Sequence, residues 1–98
     1  MTVDDVKRLV TPDAPALRAR GVTALHIFGS IARGEGGPTS DVDLLVDYDP
    51  ASDFNLFDLA GVHRRISGRL GVSVDVVTRN GLHRRIRDRV LKEAIRVL

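Results

Sequence analysis

The run Asp41-Val42-Asp43-Leu44-Leu45-Val46 constrains this chain more than any other stretch. Leu44, Leu45 and Val46 put apolar side chains on both faces of a strand over 41–48. Such a strand has to run through the middle of a sheet, covered on both sides. A chain of 98 residues has room for a thin core, about one sheet with helices packed on it. Two aspartates enter this covered strand at its start. Being two residues apart, they project from the same face.

The neighbouring segments supply the rest of that sheet. Residues 23–28 alternate as a strand, with Leu25 and Ile27 opposite Ala24, His26 and Phe28. Gly29-Ser30 breaks it, and Ser30 can cap one helical turn through Arg33. Gly34, Gly36, Gly37 and Pro38 mark a loop. Upstream, 3–10 and 14–20 read as a helical region interrupted near Pro12 and Pro15, with Gly21 as its stop. Downstream, Ser52 or Asp53 caps a helix that runs to about Leu70, apolar at Leu56, Leu59, Ile66 and Leu70 and ended by Gly71. Valine-rich 72–78 is a third strand. Asn80-Gly81 turns into a last helix reaching about Val97, with Leu82, Ile86, Val90, Leu91, Ala94, Ile95 and Leu98 as its buried stripe. The expectation is an α/β (α+β) domain over 1–98: a three-stranded mixed sheet packed with about four helices.

Two carboxylates aimed the same way repel. At ~4 Å and an effective dielectric near 20 the cost is about 4 kcal/mol. A cation between them, or a proton on one, relieves it. Magnesium suits two carboxylates whose shell is completed by phosphate oxygens. Asp75 is the natural third ligand, because it interrupts an otherwise apolar strand and points away from Val74 and Val76. Three carboxylates can hold two ions, which is the equipment for in-line attack at an α-phosphorus with pyrophosphate departing. Gly29 lets backbone approach a phosphate, Ser30 offers a hydroxyl, and the turn that follows offers amide N–H groups. Arg33 is near enough in sequence to add positive charge. Each feature taken singly has an ordinary structural explanation, such as a turn, a cap or an ion pair. Their combination does not. His26, His63 and His83 share no metal-ligand spacing and are expected in packing or surface roles. Glu35, Asp47 and Asp49 are expected to be solvated. No phosphate-binding Gly-x-x-x-x-Gly-Lys loop occurs.

Phe28-Gly29-Ser30-Ile31-Ala32-Arg33-Gly34-Glu35, followed by Ser40-Asp41-Val42-Asp43-Leu44-Leu45-Val46, resembles the minimal nucleotidyltransferases of the DNA polymerase β-like superfamily. The likeness extends to Val74-Asp75-Val76-Val77 and to the Arg-rich stretch around Arg87-Asp88-Arg89, and so covers nearly the whole chain. It implies magnesium on Asp41, Asp43 and Asp75, and nucleotide phosphates at Gly29 and Ser30. It further implies an antitoxin that transfers AMP from ATP to a tyrosine of a HEPN-type ribonuclease toxin.

Composition limits what else is present. Cysteine is absent, which removes disulfides and thiolate metal sites. No apolar run suggests a signal peptide or a membrane span, so a cytoplasmic protein is expected. Residues 1–60 carry five Lys/Arg against ten Asp/Glu, and 61–98 carry ten against three. The basic half could meet RNA or an acidic protein, although charged helix faces are commonly just solvated. Aromatic content of 4% leaves few surfaces for stacking a base. Completion of the site therefore falls to a partner or to a second copy of the chain. An antitoxin that only occludes its toxin, and a nucleotidyltransferase acting on RNA, remain alternatives to the protein-modifying enzyme.

Overall fold

Thr2 opens the first helix. Its hydroxyl accepts the Asp5 N–H, and Asp5 returns a bond to the Thr2 N–H, which satisfies two donors that a helix start leaves free. The computed structural model describes residues 1–98. Its elements are α1 (Val3–Val10), a 3-10 turn (Thr11–Asp13), α2 (Ala14–Ala19), β1 (Val22–Phe28), single-turn α3 (Gly29–Ala32) and β2 (Val42–Tyr48). They continue with α4 (Leu56–Leu70), β3 (Val74–Thr78), a second 3-10 turn (Arg79–Gly81), α5 (Arg84–Glu93) and β4 (Ile95–Arg96).

The strands form one mixed sheet in the order β3-β2-β1-β4. β1 pairs antiparallel with both β2 and β4, while β2 and β3 run parallel, joined through α4. Alternation sorts each strand onto two layers. Val42, Leu44 and Val46 join Val6, Val10, Leu17, Val62 and Ile66 in the main core, on the side of α1, α2 and α4. Leu45 turns the other way and packs with Leu82 and Val90 under α5, beside Phe28, Val77 and Ile86. β2 is thus covered on both faces, as its leucines require.

The sheet has four strands where the sequence suggested three. The apolar residues Ala94, Ile95, Val97 and Leu98 suit either a helical or an extended reading, and the free edge of β1 decides between them. Ala94 leaves the helix at φ −61°, ψ 133°. The Val97 N–H then bonds the Leu25 carbonyl at 2.9 Å, and the Leu25 N–H bonds that of Leu98 at 3.2 Å. α5 consequently stops at Glu93, Val97 is buried in the main core, and Leu91 and Ile95 are exposed rather than part of a buried stripe.

α4 also begins later than expected. Asn55 is its cap, accepting the N–H groups of Phe57 and Asp58. Ser52 is instead committed to the Asp49 carbonyl at 2.6 Å, in the preceding turn. Leu56 therefore falls outside the stripe at 80% exposed, and Val62 belongs in it. Gly71, at φ 68°, closes the helix in the left-handed region as read. β3 starts at Val74 rather than Val72.

Candidate active site

The parallel pairing of β2 with β3 sets Val42 opposite Val74 and Asp43 opposite Asp75. Paired positions on adjacent strands share a face. Since Val42 and Val74 enter the main core, Asp43 and Asp75 project together on the α5 side. Asp41 immediately precedes β2 and lies close enough to Asp43 to act on its charge. The structure thus brings all three predicted acids to one end of the sheet. Asp43 is half-buried and makes no hydrogen bond; Asp41 and Asp75 are exposed. Burial raises the Asp43 carboxyl above its ordinary value of 3.8, and the charges of Asp75 and Asp41 push it further, with Arg33 opposing. As placed, the three do not close to liganding distance around one point. Hard carboxylate oxygens on two exposed side chains and one half-buried one are nevertheless a donor set that fits magnesium.

Gly29 follows β1 and sits at φ 77°, a region that only glycine enters at no cost. A Cβ at this position would also run into the Asp43 carboxylate, so residue 29 lies directly against the acid. Ser30 comes next, half-buried, and its hydroxyl has no protein partner. Its carbonyl accepts the Glu35 N–H at 2.8 Å, which folds the following loop back on the turn.

Arg33, expected to add positive charge beside the turn, is held by two carboxylates. Its Nε donates to Glu35 at 3.0 Å and its Nη1 to Glu93 at 3.1 Å. Glu35, expected in solvent, is mostly exposed but ends on this guanidinium. Glu93 was not singled out from the sequence at all. Its Oε1 also accepts the Gly29 N–H at 3.1 Å. One signal could have marked it: an acid in the last turn of a helix opposes the helix dipole and needs a local reason.

Other titratable groups serve the frame. Asp47, expected in solvent, is clasped by Arg79 at 2.7 and 3.0 Å and by His26 at 2.9 Å, and its carboxyl is held below the usual range chiefly by Arg79. His63 bonds the Val74 carbonyl at the sheet edge, and His83 caps α5 through the Arg85 N–H. Asp13 is 3% exposed and bridged by Arg65 and Arg69, which ties the α1–α2 turn to α4. Part of the basic half is therefore structural. Arg64, Arg84, Arg85 and Arg89 make no ion pair.

The model of the nucleotidyltransferase domain family matches residues 14–97. The chain belongs to that family. The nucleotidyltransferase is 39% identical over 98 residues to MJ0435 of Methanocaldococcus jannaschii, which bears the name putative protein adenylyltransferase, and the match covers all of both chains. It is 33% identical over 98 residues to the protein adenylyltransferase MntA of Thermococcus cleftensis, covering 99% of this chain and 97% of the relative. Among solved structures, one described as a putative minimal nucleotidyltransferase superposes with a TM-score of 0.79 at 36% identity, over 97% of this chain and 95% of the other. A toxin–antitoxin complex with AMP-PNP shares the fold at a TM-score of 0.69 and 16% identity, over 100% of this chain and 73% of that one. The minimal size and the mixed sheet of the nucleotidyltransferase are thus those of known relatives.

Proposed function

We propose that this nucleotidyltransferase moves AMP from ATP onto a tyrosine of a HEPN-type toxin, as the antitoxin of the pair. The single observation that carries the chemistry is the register that seats Asp75 beside Asp43, against the Gly29-Ser30 turn. The names of the full-length relatives MJ0435 and MntA support protein adenylylation, and the shared fold of a toxin–antitoxin complex supports the setting.

Asp41, Asp43 and Asp75 would hold magnesium, probed as two ions. When bound, magnesium neutralises the triphosphate and raises the acidity of the acceptor hydroxyl. Charge accounting favours two ions. Asp41, Asp43, Asp75, Glu35 and Glu93 gather near two guanidinium groups, Arg33 and, beyond ion-pair distance, Arg89, which leaves a net charge near −3 before any nucleotide arrives. Ser30 and the amides after it bind the β- and γ-phosphates, and Gly29 keeps that turn against Asp43. The acceptor oxygen attacks the α-phosphorus, the bond to the β-phosphate oxygen breaks, and pyrophosphate leaves. Asp75, exposed at the rim, is the carboxylate best placed to receive the acceptor's proton.

The test is transfer from ATP labelled in the α-phosphate to the co-purified toxin, followed by intact mass and by mapping of the modified residue. Label on a toxin tyrosine, lost in Asp41→Ala/Asp43→Ala, is the expected result. Neutralisation of the toxin with no added mass would leave a purely occluding antitoxin. Label appearing on RNA instead would move the acceptor to nucleic acid.

A further inference from the structure

Four arginines, Arg20, Arg64, Arg65 and Arg69, line a groove of about 510 Å³ between the end of α2 and the flank of α4. Asp13, Gly61 and Gly68 complete its lining, with no apolar side chain. The groove lies in the layer of α1, α2 and α4, across the sheet from the α5 side where Asp43 and Asp75 project. Two of its cations are set in place by a buried carboxylate. Asp13 takes Nε and Nη2 of Arg69 at 2.9 and 3.1 Å, and Nη1 of Arg65 at 3.3 Å. Arg20 gives only Nη1 to Asp58, at 3.3 Å, and Arg64 makes no ion pair. A guanidinium carries five N–H donors, so most donors in the groove have no protein partner. Asp13 and Asp58 answer two of the four charges and leave two positive charges over.

The floor of the groove carries a second signal. Gly61 and Gly68 are two helical turns apart and share this flank of α4. Glycine weakens a helix interior, so each needs a reason. Gly61 has one: the Arg20 guanidinium lies where its Cβ would stand. At Gly68 a Cβ would meet nothing within 4 Å. No contact inside the fold asks for glycine there, and its backbone lies bare among the arginines.

We infer that this groove binds the phosphodiester backbone of a single nucleic-acid strand, without regard to sequence. Guanidinium forks match phosphate oxygens, and those held by Asp13 lose little freedom in doing so. A protein partner would call for an apolar centre, which the groove lacks. No aromatic ring lines it either, so bases find nothing to stack on and the backbone is what it grips. Its length excludes a lone phosphate group as the matching ligand. From Gly61 to Arg69 the helix rises about 12 Å, over which a strand with one phosphate per roughly 3.4 Å presents three or four. The site is separate from the acids on β2 and β3, and the inference does not depend on the transfer reaction.

The experiment is fluorescence anisotropy of labelled oligouridine RNA and oligothymidine DNA, each about 15 nucleotides long, over rising salt. Wild-type protein should bind both at about 50 mM salt, within a few-fold of each other, with log K falling against log salt at a slope of roughly −1.5 to −3, as for two to four phosphates. Gly68→Glu sets a carboxylate on the groove floor within reach of Arg64 and Arg65 and should weaken binding at least ten-fold, to an order of magnitude. Gly68→Ala should stay within about two-fold of wild type. Both replace a helix glycine where space is open, so both should melt at or above the wild-type temperature, and lost binding is then no sign of misfolding. Arg64→Gln should weaken binding about three- to ten-fold and reduce the slope by about 0.7. Arg85→Gln, on α5 outside the groove, removes the same charge and should change little. No binding of either strand by wild type at low salt overturns the inference. So does unchanged binding in Gly68→Glu, or an equal loss in Arg85→Gln and Arg64→Gln. Displacement of the strand by inorganic tripolyphosphate or by polyglutamate at equal charge concentration also overturns it, in favour of a small anion or an acidic polypeptide.

Discussion

Replacing Asp43 by Asn should make the metal-free protein more stable while abolishing its chemistry. Asp43 faces Asp75 across one strand spacing, ~4.8 Å between backbones, and has no hydrogen bond that an amide would forfeit. Like charges ~5.5 Å apart at an effective dielectric near 20 repel by about 3 kcal/mol. Asp75 is exposed and salt screens the pair, so about 1–2 kcal/mol is the reasonable share. In a domain of this size that corresponds to a melting temperature higher by roughly 5–10 °C. The sign follows from the proton affinity of Asp43. Its carboxyl is raised above 3.8 in the fold, so the penalty is present once it ionises at neutral pH and disappears as pH falls through the folded value. Thermal unfolding by circular dichroism, in chelator and low salt, should show the gain at about pH 7 and its loss below the ordinary carboxylate range. It should also shrink at high salt. Magnesium should raise the wild-type melting temperature and leave Asp43→Asn nearly unmoved. An Asn variant that melts at or below the wild-type temperature in chelator would refute the picture of repelling carboxylates.

Three further outcomes follow from other contacts. Asp13→Asn should cost about 1–2 kcal/mol at neutral pH, discounted because Arg65 and Arg69 are half exposed. Arg69 above all holds the Asp13 carboxyl below 3.8, so this contribution is full above that value and lost as pH falls through the lower folded value; urea unfolding at neutral and acid pH should show wild type and variant converging in acid. Val97→Asp buries a charge at a position 2% exposed and should destabilise by about 3 kcal/mol or more, read as a lower urea midpoint with loss of protection at the Leu25 amide in hydrogen exchange. Gly29→Ala should lose transfer activity, because its Cβ meets the Asp43 carboxylate at a positive φ, and should lower the melting temperature as well; full activity in that variant would remove the close approach from the site.

Much of the site could be read in the sequence because strand alternation is a local code. Val74 and Val76 on one face fix Asp75 on the other, and Leu44-Leu45-Val46 forces β2 into the middle of the sheet. What could not be read was set by partners distant in the chain. Glu93 reaches Gly29, and Arg79 reaches Asp47, through tertiary packing that leaves no periodic trace. The C-terminal residues fit two periods equally, and only the open edge of β1 selects the strand. Asn55 won the cap of α4 over Ser52 because Asp58 lies three residues on and closes a reciprocal pair of bonds.

The alternation of β3 has an evolutionary corollary. Slipping that strand by one residue against β2 would turn Val74 and Val76 out of the core and drive Asp75 into it. The misaligned chain would be unstable before it was inactive. Folding quality and the placement of Asp75 are thus inspected together at β3, and drift in one cannot accumulate unseen by selection on the other.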